Sequence, residues 1–237
     1  MNAAEAAVQP LYDDSAWPVR VDIVEAHAQW LDHVCAPGTW WTGEERVAFV
    51  TALWSAIDST DERPPWDAPA PPHGSPLPAA AHAVAHRLAR FASTTSESWY
   101  RISVEGLGSG GAPAFVELVA LAAMGCAVAA FGPALGVGRP TLPAPLPGTP
   151  TRVSPMLTDA SMNWVPVTPP ADQRAAVVQA FTAVPAEEQM LWRLAAAQYM
   201  PLDAMVHMDW QRAGSPLHRH QLELVAARLS VRRQCFY

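Results

Sequence analysis

The stretch Ala114–Phe131, AFVELVALAAMGCAVAAF, decides the fold. It carries one charge, Glu117, in an otherwise apolar run. A run of this length raises the question of a membrane span. Its wealth of Ala and Gly, the absence of flanking Trp or Tyr, and Pro133 close behind it point instead to a helix buried in a bundle. The chain is therefore read as having no membrane partner.

Outward from this segment, helical periodicity dominates. Helices are expected over 21–30, 44–57, 78–91, 96–104, 113–135, 185–199, 202–210 and 217–233. Thr42-Gly43-Glu44-Glu45 reads as a capping box, and Pro185 followed by Glu187 and Glu188 puts proline and acid into a first turn. No alternating β-branched run appears, so the expected class is all-α. Two proline-rich stretches punctuate the pattern. Residues 61–78 read as a loop, and 140–170 as a linker or an extended wrap. The expected organisation is a first helical unit over 1–136, a linker over 137–170, and a second unit over 171–237. A shift of about 175 residues lays Val50-Thr51-Ala52 on Val225-Ala226-Ala227 and Trp17 on Trp192, as two related tandem units would. In that alignment Glu223 falls on Ala48 and Cys235 on Thr60, so the chemistry would belong to the second copy.

Half of the 237 residues are hydrophobic, enough for a substantial core. All fifteen basic residues are Arg, and the net charge is −7. An acidic chain without a basic stripe argues against nucleic-acid binding. Cys35, Cys126 and Cys235 are widely spaced and odd in number. They form no disulfide framework, so a reducing, cytoplasmic setting is expected. The first residues lack the basic start of a signal peptide.

The candidate chemistry lies at the far end. Leu222, Val225, Ala226 and Leu229 form an i, i+3, i+4, i+7 stripe, the mark of a core-facing helix. Glu223 sits at its edge, where partial desolvation can raise a carboxyl toward acid–base use. Cys235 follows twelve residues later, where one helix should end and another begin. A thiol at a helix N-terminus has its thiolate stabilised by the local dipole.

Glu223 and Cys235 at this spacing, with Arg219 and Ala226-Ala227, resemble the alkyl hydroperoxidase D / carboxymuconolactone decarboxylase superfamily. Its redox members continue with a second Cys three positions on and a His four beyond that, at 238 and 242 in this numbering. The segment from Met190-Leu191-Trp192 to Cys235-Phe236-Tyr237 looks like alkylhydroperoxidase-related proteins in which selenocysteine can replace the second Cys. Gly106-Leu107 and Phe115-Val116-Glu117-Leu118 resemble the family's helix after the active site. A frame ending at Cys-Phe-Tyr is accordingly expected to be a product cut short at a selenocysteine codon, with little peroxidase activity of its own.

The resemblance implies an AhpD-like helical bundle with its second unit truncated, and a thiol- or selenol-dependent peroxidase or thiol–disulfide oxidoreductase in antioxidant work. Its partners would be a hydroperoxide and a thiol reductant, protein or small molecule, and the bundle would self-associate as a homo-oligomer. Cys235 would be the resolving thiol and Glu223 a proton relay. No flavin, nicotinamide or metal motif appears, so no cofactor is expected. The rival reading is a non-enzymatic helical scaffold or partner-binding protein of the same fold.

The remaining candidates read as structural. Cys35 and Cys126 read as small core residues. His218 and His220 lie two apart on a helix and should diverge. His82 and His86, at i, i+4, have metal-binding spacing but no acidic or Cys neighbour in sequence. The tryptophans read as core filling, with Trp40, Trp41 and Trp54 the alternative lining of an apolar pocket. Should the second unit lack the helix after Cys235, the Leu222, Val225 and Leu229 face should be partly exposed.

Overall fold

The computed structural model describes residues 11–157, 164–168 and 179–235. Parts of the proline-rich stretch, the expected start of the second unit at 171, and Phe236 and Tyr237 lie outside the described residues. Seven α-helices are described, with no β-ladder among them: α1 (Val21–Cys35), α2 (Gly43–Asp58), α3 (Ala79–Arg90), α4 (Glu97–Gly106), α5 (Gly111–Ala134), α6 (Pro185–Gln198) and α7 (Arg219–Arg232). The protein is all-α.

Helix starts follow local chemistry. Thr42 and Glu45 form the reciprocal capping box: Glu45 N donates to Thr42 Oγ1 at 3.2 Å and Thr42 N to Glu45 Oε2 at 2.8 Å. Ser96 Oγ accepts from Trp99 N at the start of α4. Pro185 opens α6, where its missing N–H costs nothing.

Helix α5 is the central element. Its apolar window is 67% buried, although by length and composition it could cross a membrane. It packs against α2, α3, α4 and α6. Leu118, Leu121, Met124 and Val128 of α5 join Trp30 and Val34 of α1 and Phe49 and Leu53 of α2 in one core. Full burial of each such side chain contributes about 1.5–3 kcal/mol. Gly125 permits a close approach to α2, because a Cβ there would meet Leu53 Cδ2 at 3.0 Å. Trp41 and Trp54 are core residues in this arrangement. Their indole N–H groups donate to Ala114 O and Gly125 O, both at 3.0 Å.

Helix α6 enters this same core through Met190, Leu194 and Ala197, preceded by Phe181 and Ala183. The proline-rich segment after α5 runs as an extended strap. Arg139 fixes its start with paired bonds to Asp58 at 2.6 and 2.7 Å. Leu146 N then donates to Cys35 O, Thr151 N to Gly38 O and Arg152 N to Thr39 O. The strap thus covers the α1–α2 loop.

The helix expected over 202–210 is instead a single 3-10 turn, Leu202–Val206. Arg219 explains why: its guanidinium takes the carbonyls of Ala204 at 3.0 Å and His207 at 2.8 Å. Those carbonyls are then satisfied without a continuing helix. The rings of His218 and His220, expected to diverge, stack at 5.6 Å and 6°.

Candidate functional site

Helix α7 carries Glu223, and Cys235 lies just past its C-terminal end. Arg219, in its first turn, is buried, and one turn on its Nε donates to Glu223 Oε1 at 3.3 Å. The hydroxyl of Tyr199, just past α6, donates to Glu223 Oε2 at 2.6 Å. Each Glu223 oxygen is therefore held by a different group, and the side chain stays 41% exposed. Burial and the hydrogen bond to Glu223 push the Tyr199 hydroxyl up to about 12, so it remains a donor. Cys235 is exposed and free of any disulfide, and its N–H donates to Ser230 O at 2.9 Å. Glu223 lies within α7 and Cys235 beyond its end, and the hydrogen bonds of Glu223 go to Tyr199 and Arg219 rather than to Cys235. Val225 and Leu229, two of the three positions on the expected face, are 66% and 57% exposed.

The other two thiols differ from Cys235. Cys35 is buried and Cys126 half-buried, and burial pushes both thiols up, away from thiolate character.

A second cluster lies at the centre of the bundle. Arg46 of α2, Glu117 of α5 and Glu187 of α6 are all fully buried. Arg46 Nη1 donates to Glu117 Oε1 at 2.5 Å and to Glu187 Oε1 at 2.7 Å. Arg46 Nη2 donates to His33 O, and His33 Nε2 lies 2.9 Å from Glu187 Oε1. Trp40 N donates to Glu117 Oε2 at 2.7 Å. The group ties α1, α2, α5 and α6 together, with the half-buried His33 as its route to the surface.

One guanidinium here faces two carboxyls, so the pair cannot both ionise cheaply. Burial pushes Glu117 up to about 7; Arg46 opposes that rise and Glu187 adds to it. Burial acts upward on Glu187 as well, but Arg46 and His33 outweigh it and hold that carboxyl below its ordinary value. The proton shared near neutral pH therefore resides on Glu117. Gly38 lies against the cluster: a Cβ there would stand 2.0 Å from both Arg46 Nη1 and Glu117 Oε1. The strap and the α1–α2 loop close over these groups, so the cluster is an internal ionic latch rather than a substrate pocket.

Sequence reading noticed Glu117 as a lone charge and Glu187 as a first-turn acid, but not that Arg46 joins them. The available signal was the cost of an unpaired carboxylate in an apolar helix, which demands a cation from elsewhere. Tyr199 carried no signal, because its role depends on the turn at 200–207. Trp40, Trp41 and Trp54 are absent from the lining of five cavities among the described residues, including those between α2 and α3 and beside Trp99. Among the described residues no group of three His, Cys, Asp or Glu side chains converges to hold a metal ion.

Comparison of the chain with family models, with curated proteins and with solved structures finds no match.

Proposed function

We propose that this chain serves a thiol- or selenol-dependent peroxidase or thiol–disulfide oxidoreductase, with Cys235 as the resolving thiol and Glu223 as its proton relay. The observation that carries the reading is the clamping of Glu223 between Tyr199 and Arg219 on the helix that leads to the exposed thiol of Cys235. A carboxylate fixed at both oxygens, yet open to solvent, is suited to passing protons.

The attacking group would be the thiolate or selenolate that the family resemblance places three positions beyond Cys235. It takes the terminal oxygen of a hydroperoxide as the O–O bond breaks, and the alkoxide leaves with a proton as the alcohol. The sulfenic or selenenic acid so formed is attacked by the Cys235 thiolate. Water leaves, and a disulfide or selenylsulfide forms. A thiol reductant supplies the two electrons and two protons that restore the pair. Glu223 relays protons to the attacking group and to the departing oxygen.

Single-turnover thiol exchange tests this role on the chain itself. With an aromatic disulfide as acceptor, Cys235 should release the aryl thiolate in a fast phase that Cys235→Ser abolishes. Glu223→Gln should slow that phase by about tenfold or more, within the range of acid–base contributions. A Glu223→Gln protein reacting at the wild-type rate would remove Glu223 from the chemistry.

One observation favours a second reading, a scaffold that binds a partner: the exposure of Leu224, Val225, Leu229 and Val231 along α7. In that case Cys235 exchange would be indifferent to Glu223, and substitutions on the apolar face would alter association instead.

A further inference from the structure

Trp164 and Val165, together with the end of α3 and with α4 and α5, wall a cavity of about 490 Å³. That volume lies within the usual range of small-molecule sites. Trp99 and Tyr100 of α4, Phe115 of α5 and Trp164 give it four aromatic rings, and Leu88 and Val119 add aliphatic surface. None of these residues belongs to the Glu223 and Cys235 region or to the Arg46 latch.

The rings hold one another in place. Tyr100 stacks on Trp164 with centroids 6.1 Å apart and 28° between the planes. Phe115 meets Trp99 and Tyr100 edge-on, at 5.7 and 5.2 Å. The backbone beside Trp164 is fixed as well: Val165 and Val167 are buried, and Thr168 N donates to Thr182 Oγ1 at 3.0 Å. Trp164 itself is nevertheless 50% exposed. A large ring held in position and left half in water is surface that a flat apolar molecule would cover.

The lining also sets the charge of that molecule. No side chain listed by position around the cavity, from Leu88 to Val165, is an acid or a base of the Asp, Glu, Lys, Arg or His kind. An ion entering there would lose its hydration without meeting a counter-ion. Aromatic rings can attract a cation, but Arg87 already lies over Trp99 at 5.3 Å, and no carboxylate lines the cavity to balance a second positive charge. Polar capacity is small. Thr95 Oγ1 donates to Ala92 O at 3.0 Å. The Tyr100 hydroxyl has no hydrogen-bond partner among the described residues, and it is not sealed from open space although Tyr100 as a whole is only 7% exposed. Burial pushes that hydroxyl above its ordinary value, so it keeps its proton and can donate.

We propose that this cavity binds a neutral, planar aromatic molecule carrying one hydrogen-bond acceptor. Its ring lies against Trp164 within the aromatic walls, and its acceptor receives the hydrogen bond of the Tyr100 hydroxyl.

Isothermal titration of the full chain near neutral pH tests this with three probes of similar shape. Quinoline is neutral and has one acceptor, its ring nitrogen; N-methylquinolinium is a cation; quinoline-3-carboxylate is an anion. Quinoline should bind saturably and at least about tenfold tighter than either ion. Tyr100→Phe keeps the ring and removes the donor, and it should weaken quinoline by about two- to tenfold, the range of one neutral hydrogen bond. Trp164→Ala removes a half-exposed ring and should weaken it by a similar factor of about two- to tenfold. Val119→Phe, which fills part of the cavity, should weaken it by about tenfold or more. Helical circular dichroism of each variant confirms that it has folded. The proposal is overturned by absence of saturable quinoline binding at millimolar probe, by an ionic probe that binds as tightly as quinoline, or by a folded Tyr100→Phe, Trp164→Ala or Val119→Phe protein that binds quinoline unchanged.

Discussion

Replacing Glu117 with Gln should change how stability depends on pH, and the size of the change follows from the buried cluster. Gln keeps the volume and still offers an oxygen to Trp40 N, but it cannot ionise. In the folded protein Glu117 is raised from its ordinary 4.5 to about 7. A carboxyl raised on folding contributes stability that is fully present below pH 4.5 and is lost as pH climbs through 7. At 1.36 kcal/mol per pH unit, that rise is worth about 3 kcal/mol. Glu187 is lowered on folding, so its contribution is lost only below pH 4.5, outside this window. His27, buried and pushed down to about 4, contributes equally to both proteins and cancels in the difference.

Urea unfolding of wild type and Glu117→Gln at pH 5 and pH 8 measures the effect. From pH 5 to pH 8 the stability of the Gln protein relative to wild type should rise by about 2–3 kcal/mol, most of the full value. Constancy of the difference across that range would refute the placement of the shared proton on Glu117. A relative stability that fell instead would mean that Arg46 needs both carboxylates ionised.

The same cluster makes further predictions. Arg46→Met removes the guanidinium between two buried carboxyls, and it should destabilise by about 3–5 kcal/mol at pH 8. The loss should shrink near pH 5, where Glu117 is protonated, as urea midpoints at the two pH values would show. Gly38→Ala drives a methyl into Arg46 and Glu117 and should lower stability by about 1–3 kcal/mol, seen as a drop in Tm. Tyr199→Phe frees Glu223 Oε2 of its donor and should slow Cys235 exchange with an aromatic disulfide while leaving Tm nearly unchanged.

Much of the architecture was legible in the residues. The capping box at Thr42, Pro185 at the head of α6 and the apolar run of α5 act locally, and each forms as its sequence pattern requires. The 202–210 segment was not legible, because its carbonyls are claimed by Arg219, a partner that only the tertiary structure supplies. The Arg46, Glu117 and Glu187 latch was half visible. The lone Glu117 announced a missing partner, but residues 46, 117 and 187 meet only once four helices have packed. The strap shows the same limit: its prolines predict an extended chain, yet its course over Cys35, Gly38 and Thr39 depends on backbone groups that carry no sequence signature. At the candidate site the spacing of Glu223 and Cys235 was plain, whereas the Tyr199 hydroxyl depends on how the chain turns after α6.

Cysteine-resolved oxidation is the most direct test of a redox role for Cys235. The folded chain and a free peptide of residues 215–237 would each meet one equivalent of a small aromatic disulfide at pH 7, followed by alkylation, digestion and mass spectrometry. Modification of Cys235 in the folded chain at least about tenfold faster than in the peptide is expected, with the buried Cys35 and half-buried Cys126 still reduced. A folded-chain Cys235 that reacts no faster than the peptide would contradict the redox reading and leave the helix as a scaffold.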